Sequence, residues 1–131
     1  MLIGIGTDIF ALARLSPAAV NGDDPFFRRA YTPAEQAEAG LRANRLEYLA
    51  GRFAAKEAVY KAVSLCGAEF APGDIQVTDD GDGRPHALLL GKTKARLEEK
   101  YGPRYRIHIS ISHEDDFAVA FAVAEQDERS V

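Results

Sequence analysis

Two carboxylates and a lysine are the residues of this chain best suited to chemistry on phosphate groups. Asp8 ends the segment "GIGTD", and Glu57 lies in "GRFAAKEAVYK" with Lys61 four residues later. Magnesium is usually held by one or two carboxylates together with substrate phosphates, because the ion keeps several of its waters. Asp8 and Glu57 are therefore candidate metal ligands, and Lys61 is a candidate phosphate contact.

These residues also have ordinary structural interpretations. A carboxylate at the start of a helix is favoured by the helix dipole alone, which fits Asp8 if a helix begins near Phe10. Glu57 and Lys61 have the i,i+4 spacing of a surface ion pair, worth roughly a few tenths of a kcal/mol. The residue types and their spacing leave both interpretations open.

The helix predicted over residues 45–67 places Glu57 on its apolar side. At about 100° per residue, Glu57 continues a stripe formed by four apolar residues: Leu46, Leu49, Ala50 and Phe53. A carboxylate on a line that faces the core is costly unless a partner compensates it. A metal ion would be such a partner.

Cationic side chains lie on both flanks of this helix. Arg45, Arg52 and Lys56 share one flank, and Lys61 lies on the other. Arg52, Lys56 and Lys61 are therefore candidates for binding phosphate. His113 follows the alternating strand "RIHISIS" at a turn, where an imidazole is either solvated or in contact with a phosphate.

Several other kinds of site are excluded by their motifs. A dinucleotide fingerprint needs a third glycine where this chain has Ile9. Ser110, Ser112 and His113 lack the G-x-S-x-G turn of a serine hydrolase. The chain contains neither a P-loop nor a kinase signature, which argues against other magnesium-dependent phosphotransferases.

Composition is typical of one soluble domain spanning residues 1–131. The net charge is -4, so no overall basic field favours nucleic acid as a partner. The chain has no signal-like or membrane-length apolar run, so no membrane association and a cytoplasmic location are expected. Residues 126–131 form a polar tail that we expect to fray.

The elements that must position the candidate residues are helices and hairpins. A strand is expected at 2–5, a turn at Gly6-Thr7 and a short helix at 11–15. Further helices are expected at 32–41, where Thr32 and Glu35 form a capping box, at 45–67 and at 92–101. Strands are expected as two hairpins, 74–80 with 85–91 and 106–112 with 117–125. The predicted class is α+β, with an antiparallel sheet of hairpins packed against one long helix and shorter helices.

Taken together, these segments resemble the holo-[acyl-carrier-protein] synthase family, the small bacterial type of 4′-phosphopantetheinyl transferase. The segments "GIGTDI", "TPAE", "LAGRFAAKEAVYKA", "ISISH" and "FAVAFAV" follow the order of the family through nearly the whole chain. The resemblance implies the 4′-phosphopantetheinyl transferase fold and a homotrimer with sites between subunits. It implies transfer of the 4′-phosphopantetheine arm from coenzyme A to a serine of apo acyl carrier protein, which releases adenosine 3′,5′-bisphosphate.

The resemblance also implies roles for individual residues. Asp8 and Glu57 would bind Mg²⁺ with the coenzyme A pyrophosphate, and Lys61 would contact phosphate. Arg52 and His113 would lie near the adenosine 3′-phosphate. Our choice for the base that accepts the serine proton is Glu57, through a metal-bound water, with Asp8 as the second choice.

The region expected to dock the carrier departs from the family pattern. Arg14 would meet the acidic carrier protein, but Pro17, Asp23 and Asp24 stand where the family has basic residues. Arg28, together with the next residue, Arg29, compensates in part. The carrier is therefore expected to be a fatty-acid carrier or a carrier domain of a larger synthase with a less acidic face.

One alternative function is that of a protein with the same fold that does not catalyse the transfer. The chain would then be a non-catalytic module that binds coenzyme A or a carrier protein. The presence of Asp8, Glu57 and Lys61 together argues against this alternative.

Overall fold

The computed structural model describes residues 1–63 and 69–127. The strands are β1 (Leu2–Ala11), β2 (Ile75–Asp79), β3 (Pro85–Leu89), β4 (Tyr105–Glu114) and β5 (Phe117–Gln126). The α-helices are α1 (Pro17–Asn21), α2 (Pro25–Ala30), α3 (Pro33–Leu41), α4 (Arg45–Ala62) and α5 (Gly91–Tyr101). Short 3-10 helices occupy Leu12–Arg14 and Pro72–Asp74.

Two antiparallel sheets pack around α4. The larger sheet has the order β1-β5-β4, and β2 pairs with β3 in a separate hairpin. Both hairpins predicted from the sequence are present, and the α+β class is confirmed. In the larger sheet Asp8 lies opposite Ala120 of β5, which in turn lies opposite Ile111 of β4.

The first strand is longer than its sequence suggests. We expected a turn at Gly6-Thr7 and a helix at 11–15, but β1 continues through both glycines to Ala11. A Cβ atom at Gly4 or Gly6 would overlap the carbonyl oxygens of Ala62 and Ala58 of α4. The glycines therefore allow close contact between strand and helix, and the prediction of a turn was wrong.

The interface between α4 and β5 is built from small side chains. Four alanines of β5 are fully buried: Ala118, Ala120, Ala122 and Ala124. They face a helix whose own buried residues include Ala50, Ala54, Ala58 and Ala62. Because neither surface carries long side chains, the helix lies close to the sheet. The helix ends at Ala62, and the rest of the range predicted for it, 64–67, lies outside the described residues.

The capping box predicted for α3 is present and extends into the core. The Thr32 hydroxyl accepts a hydrogen bond from the amide of Glu35 at 3.3 Å, and the Glu35 carboxylate accepts one from the amide of Thr32 at 2.8 Å. Glu35 also accepts hydrogen bonds from Lys56 of α4 at 2.7 Å and from the amide of Val77 of β2 at 2.7 Å. One buried carboxylate thus joins α3, α4 and the β2–β3 hairpin.

The two faces of the larger sheet differ in exposure. The face opposite α4 presents four exposed apolar side chains to the surface: Ile5, Ile9, Phe117 and Phe121. We call these four residues the apolar sheet face. A contiguous exposed apolar surface of this kind is typical of an interaction site.

The C-terminal part of the chain is more ordered than expected up to residue 127. Gln126 ends β5, and the amide of Asp127 donates to the carbonyl of Arg104 at 2.8 Å. The prediction of a frayed tail at 126–131 is therefore wrong for its first two residues, and 128–131 lie outside the described residues. Within the described parts of the chain, no helix combines the length and apolar character needed to cross a bilayer.

Candidate functional site

The carboxyl groups of Asp8 and Glu57 lie together between β1 and α4. Asp8 is in the middle of β1, on the face turned toward the helix, so the capping interpretation does not apply. Partial burial, together with the adjacent Asp8 carboxyl, raises the pKa of Glu57. The positive charges of Arg14 and Lys61 act in the opposite direction. We call Asp8 and Glu57 the carboxylate pair.

Lys61 borders the carboxylate pair and remains accessible. Its ammonium donates to the carbonyl oxygen of Thr7 at 2.9 Å and lies 3.5 Å from Oδ1 of Asp8. About half of its side chain is exposed. The ammonium can therefore turn toward a ligand phosphate without losing a buried contact.

The carboxylate pair fits a hard divalent cation. Oδ2 of Asp8 is buried and has no hydrogen-bond partner among the described residues. Across residues 1–63 and 69–127, no group of three or more His, Cys, Asp or Glu side chains is arranged to hold a metal. Two carboxylates, with the remaining positions left to water and phosphate oxygens, are a usual arrangement for Mg²⁺.

Arg14 lies beside the carboxylate pair. Its guanidinium packs 4.5 Å from the centre of the Phe10 ring, and its charge lowers the pKa of Glu57. It also lines a cavity of about 330 Å³ together with Phe10, Phe26 and Phe53. Arg28, the other residue assigned to carrier docking, is exposed on α2.

Arg52 and His113 line a second cavity of about 440 Å³. We call it the arginine cavity; its other lining residues include Arg42, Tyr48, Gly51 and Asp79. A ring nitrogen of His113 lies 2.9 Å from the carbonyl oxygen of Glu47. A Cβ at Gly51 would lie 2.7 Å from Nε2 of His113, so this glycine allows the imidazole to lie against α4.

The arginine cavity and the carboxylate pair lie on different sides of α4. Arg52 and Glu57 are five residues apart, which is about 140° around a helix. Glu47, the helix contact of His113, precedes Glu57 by ten residues, or about 15 Å along the axis. The structure thus brings Asp8, Glu57 and Lys61 together, but within one chain it separates them from Arg52 and His113.

Lys56 does not belong to either group, and its assignment to phosphate binding was wrong. Its side chain is fully buried and forms an ion pair of 2.7 Å with Glu35. The ammonium also donates to the carbonyl oxygens of Pro72, at 2.9 Å, and Ile75. Burial lowers the pKa of Lys56, and the charge of Glu35 opposes that effect. With these three acceptors, the ammonium has a structural role.

Three residues of the arginine cavity were missed in the sequence. Asp79 accepts hydrogen bonds from Arg52 at 2.8 Å and from Arg42 at 3.1 Å. The Tyr48 ring lies under both guanidiniums, with 4.8 Å to Arg42 and 4.6 Å to Arg52. The only sequence signal for Asp79 was its position near the end of the strand predicted at 74–80.

Comparison with known proteins places this geometry in a family. The family model of the 4′-phosphopantetheinyl transferase superfamily matches residues 4–122. A holo-[acyl-carrier-protein] synthase of Halothermothrix orenii is 40% identical over 126 residues, which cover 96% of this chain and 99% of that protein.

Solved structures agree with the sequence comparison. The crystal structure of holo-[acyl-carrier-protein] synthase from Neisseria meningitidis matches with a TM-score of 0.81 and 35% identity, covering 96% of this chain and 100% of that one. A complex of the synthase with coenzyme A from Chronobacterium ammoniagenes matches with a TM-score of 0.79 and 29% identity, covering 95% and 98%.

The family resemblance carried by "GIGTDI", "LAGRFAAKEAVYKA" and "ISISH" is thereby confirmed over nearly the full length. The same segments hold Asp8 of the carboxylate pair, Glu57 with Lys61, and His113. The chain therefore belongs to the holo-[acyl-carrier-protein] synthase family of the 4′-phosphopantetheinyl transferase superfamily.

Proposed function

We propose that this enzyme transfers the 4′-phosphopantetheine arm of coenzyme A to a serine of an apo acyl carrier protein, and that the reaction depends on Mg²⁺. The observation that carries the proposal is the carboxylate pair, with a buried and unpartnered oxygen on Asp8 and a raised pKa on Glu57. When bound, Mg²⁺ would neutralise charge on the pyrophosphate and help to align it.

The reaction exchanges one phosphorus–oxygen bond for another. The serine Oγ of the carrier forms a bond to the phosphorus that bears the pantetheine arm. The bond from that phosphorus to the bridging oxygen breaks, and adenosine 3′,5′-bisphosphate leaves with the bridging oxygen. Because such transfer needs positioning and charge stabilisation more than covalent chemistry, side chains at the pyrophosphate are expected to contribute most.

Glu57 is the proposed base, and Lys61 is the proposed cation at the transferred phosphate. A carboxylate placed beside the pyrophosphate can accept the proton of the serine hydroxyl. Asp8 remains the second choice for this role. Lys61, whose side chain is half exposed, would exchange its contact with the Thr7 carbonyl for an oxygen of the pyrophosphate.

The arginine cavity is the proposed site for the adenosine end of coenzyme A. Arg52 and His113 would lie near its 3′-phosphate, since a guanidinium binds phosphate oxygens in pairs. The cavity also has aromatic and apolar walls in Tyr48, Pro85 and Ile111. Such a mixture of cationic and flat apolar groups suits a phosphorylated nucleoside.

We further propose that the enzyme is a homotrimer with its sites between subunits. One chain holds the carboxylate pair and the arginine cavity on different sides of α4, whereas the proposed substrate must reach both. The apolar sheet face, with Ile5 and Ile9 each 64% exposed, would be buried by neighbouring subunits. One subunit would then supply Asp8 and Glu57, and the next would supply Arg52 and His113.

The carrier protein is proposed to dock near Arg14 and Arg28. Arg14 combines proximity to Glu57 with an adjoining apolar cavity, so an acidic and partly apolar helix of the carrier would fit there. We place the enzyme in the cytoplasm and in fatty-acid biosynthesis, with a fatty-acid carrier or a carrier domain of a larger synthase as its partner.

The proposal is tested by incubating the protein with coenzyme A, Mg²⁺ and apo carrier protein, followed by mass spectrometry of the carrier. The expected result is a gain equal to one phosphopantetheine arm, which disappears when a chelator removes the metal. No gain with any carrier tested would favour the alternative of a non-catalytic binding module.

A further inference from the structure

In the arginine cavity, the carboxylate of Asp79 is hydrogen-bonded to two arginine side chains. Oδ1 of Asp79 accepts from Nη2 of Arg52 at 2.8 Å, and Oδ2 accepts from Nη2 of Arg42 at 3.1 Å. Asp79 is the last residue of β2, so the β2–β3 hairpin brings this carboxylate to α4. One carboxylate thus bridges the two guanidiniums.

Other donors of the cavity are not satisfied. The hydroxyl of Tyr48 and Nε of Arg52 are buried and lack a hydrogen-bond partner within the described part of the chain. Both residues are only 6% exposed. Polar atoms in this state are rare in folded proteins and indicate a missing partner. In a cavity of about 440 Å³, a bound ligand can be that partner.

The hydrogen-bonding edge of Arg52 shows with which group the ligand competes. A guanidinium binds an oxyanion with two parallel N–H groups, and Nε with Nη2 forms one such edge. On Arg52, Nε is unpartnered and Nη2 is held by Asp79. Nη2 carries two N–H groups, so a phosphate that takes the whole edge must either share Nη2 with the carboxylate of Asp79 or displace it.

We propose that the carboxylate of Asp79 competes with the phosphomonoester group of coenzyme A for the guanidinium groups of Arg42 and Arg52. This inference rests on the proposed function and adds a residue that sets affinity and specificity. The two arginines carry two positive charges, and two carboxylates face them: Asp79 contacts both arginines, and Glu38 accepts from Nε of Arg42 at 2.8 Å. A phosphomonoester carries about −1.5 to −2 at neutral pH, which is more negative charge than Asp79 supplies. The phosphomonoester, with the larger charge, displaces Asp79 from the arginines. The carboxylate of Asp79, which is about a quarter exposed, then turns to solvent.

Competition and simple positioning make opposite predictions for Asp79→Asn. If Asp79 competes, removing its charge strengthens binding of the phosphomonoester. If it only holds the arginines in place, removing its charge loosens them and weakens binding. The sign of the change in affinity therefore separates the two roles.

The test measures binding of coenzyme A and of 3′-dephospho-coenzyme A to the full-length protein by calorimetry. For Asp79→Asn we expect about three- to tenfold tighter binding of coenzyme A and little change for the dephospho form. The KM for coenzyme A should fall, and kcat should fall with it if the bisphosphate product leaves more slowly. Asp79→Ser should change these quantities in the same direction, which guards against a folding defect specific to asparagine.

Asp82→Asn is the matched control. It removes the same charge from the same hairpin, but Asp82 is exposed and does not line the arginine cavity. The affinities of Asp82→Asn for coenzyme A and for 3′-dephospho-coenzyme A should stay within about twofold of the wild-type values. Equal tightening in Asp79→Asn and Asp82→Asn would reduce the effect to overall charge and overturn the inference.

The remaining outcomes are also decisive. Unchanged or weaker binding of coenzyme A by Asp79→Asn, in a protein that otherwise prefers coenzyme A to its dephospho form, overturns the inference and leaves the proposed function intact. Failure of the wild-type protein to bind coenzyme A rejects the proposed function and, with it, the role of Asp79.

Discussion

At the scale of single residues, the carboxylate pair is unfavourable until a cation joins it. Glu57 is partly buried and Asp8 lies beside it; burial first, and the adjacent Asp8 carboxyl second, raise the pKa of Glu57 because both favour its neutral form. The metal and the proton compete for the same carboxylate. This competition gives the pair opposite pH dependences with and without metal.

We expect the affinity for Mg²⁺ to fall in mildly acidic solution. Metal binding needs the ionised carboxylate, so affinity should drop about tenfold for each pH unit below the raised pKa of Glu57. The metal-free protein should respond in the opposite direction. Its folded state binds the Glu57 proton more tightly than the unfolded chain, so this residue adds stability as pH falls from the raised pKa toward the usual value of 4.5.

Calorimetric titration with Mg²⁺ in the presence of coenzyme A, between pH 8 and pH 5, measures the first effect. Thermal unfolding in chelator over the same range measures the second. Glu57→Gln supplies the control, because a residue that does not titrate should remove the pH-dependent contribution of position 57 from both measurements. An Mg²⁺ affinity that varies with pH in Glu57→Gln as it does in the wild type would contradict the assignment.

Residue types predicted the carboxylate pair, but they did not predict every partner. Glu57 was chosen because an acid on a core-facing line needs a compensating charge. Asp8 was chosen as a second metal ligand and Lys61 as a phosphate contact, and the structure brings these three residues together. The same helical wheel misplaced Lys56, because it gives the direction of a side chain and not the group that it meets. The pairing of Arg52 with Asp79 joins residues 27 positions apart, and no local pattern encodes it.

At the scale of elements, the contact between β1 and α4 depends on the absence of a side chain. In Gly6→Ala, the added Cβ atom would overlap the backbone carbonyl oxygen of Ala58. Backbone cannot move aside as a flexible side chain can, so the helix must shift from the strand. We expect destabilisation of about 3 kcal/mol or more and a loss of the carboxylate pair.

Gly40→Ala is a suitable control for this prediction. Gly40 lies in α3, where a Cβ atom meets nothing within 4 Å, so alanine should stabilise the protein by about 0.5–1 kcal/mol. Urea unfolding of both variants measures the difference. If Gly6→Ala were as stable as the wild type, β1 and α4 could not be in direct backbone contact at Gly6 and Ala58.

The buried Lys56–Glu35 pair fixes the β2–β3 hairpin and α3 to α4. Lys56→Met leaves Glu35 buried without its counter-charge, and we expect a loss of about 3–5 kcal/mol. The double change of Lys56 and Glu35 to methionine should recover part of that loss, because no charge then remains buried. Unfolding free energies in a double-mutant cycle measure the coupling. A Lys56→Met protein with normal stability but a raised KM for coenzyme A would restore the phosphate-binding role.

Local signals predicted some elements well and β1 poorly. The capping box of α3 and the hairpins depend on residues close in sequence, so their patterns were sufficient. The glycines of β1 indicate a turn in most sequences, and here they serve close packing against a helix more than fifty residues away. Only the tertiary structure distinguishes these two uses of glycine.

At the scale of the whole molecule, the proposed homotrimer, with its sites between subunits, predicts that activity recovers when two inactive variants are mixed. Glu57→Gln should remove the base and a metal ligand, and Arg52→Ala should remove a phosphate contact, so each homotrimer should be strongly impaired. In random mixed trimers about a quarter of the sites combine an intact Glu57 with an intact Arg52 from its neighbour.

The measurement is the transfer rate after the two variants are unfolded together and refolded. Recovery to about a quarter of wild-type activity is expected, and simple mixing without subunit exchange is the control. Phe121→Glu, on the apolar sheet face, should instead give a smaller, inactive species in light scattering. Activity in a stable monomer would contradict the shared site.

The pairing of β1 with β5 determines when the molecule can be completed during synthesis. Leu2 lies opposite Glu125 and Asp8 lies opposite Ala120, so β1 pairs with a strand that is synthesised much later. Contacts between such distant segments form slowly, because a long loop must close before they gain any stability. β1 can therefore form its hydrogen bonds with β5 only after residues 117–126 have emerged, and a nascent chain carries a glycine-rich strand without this partner until then.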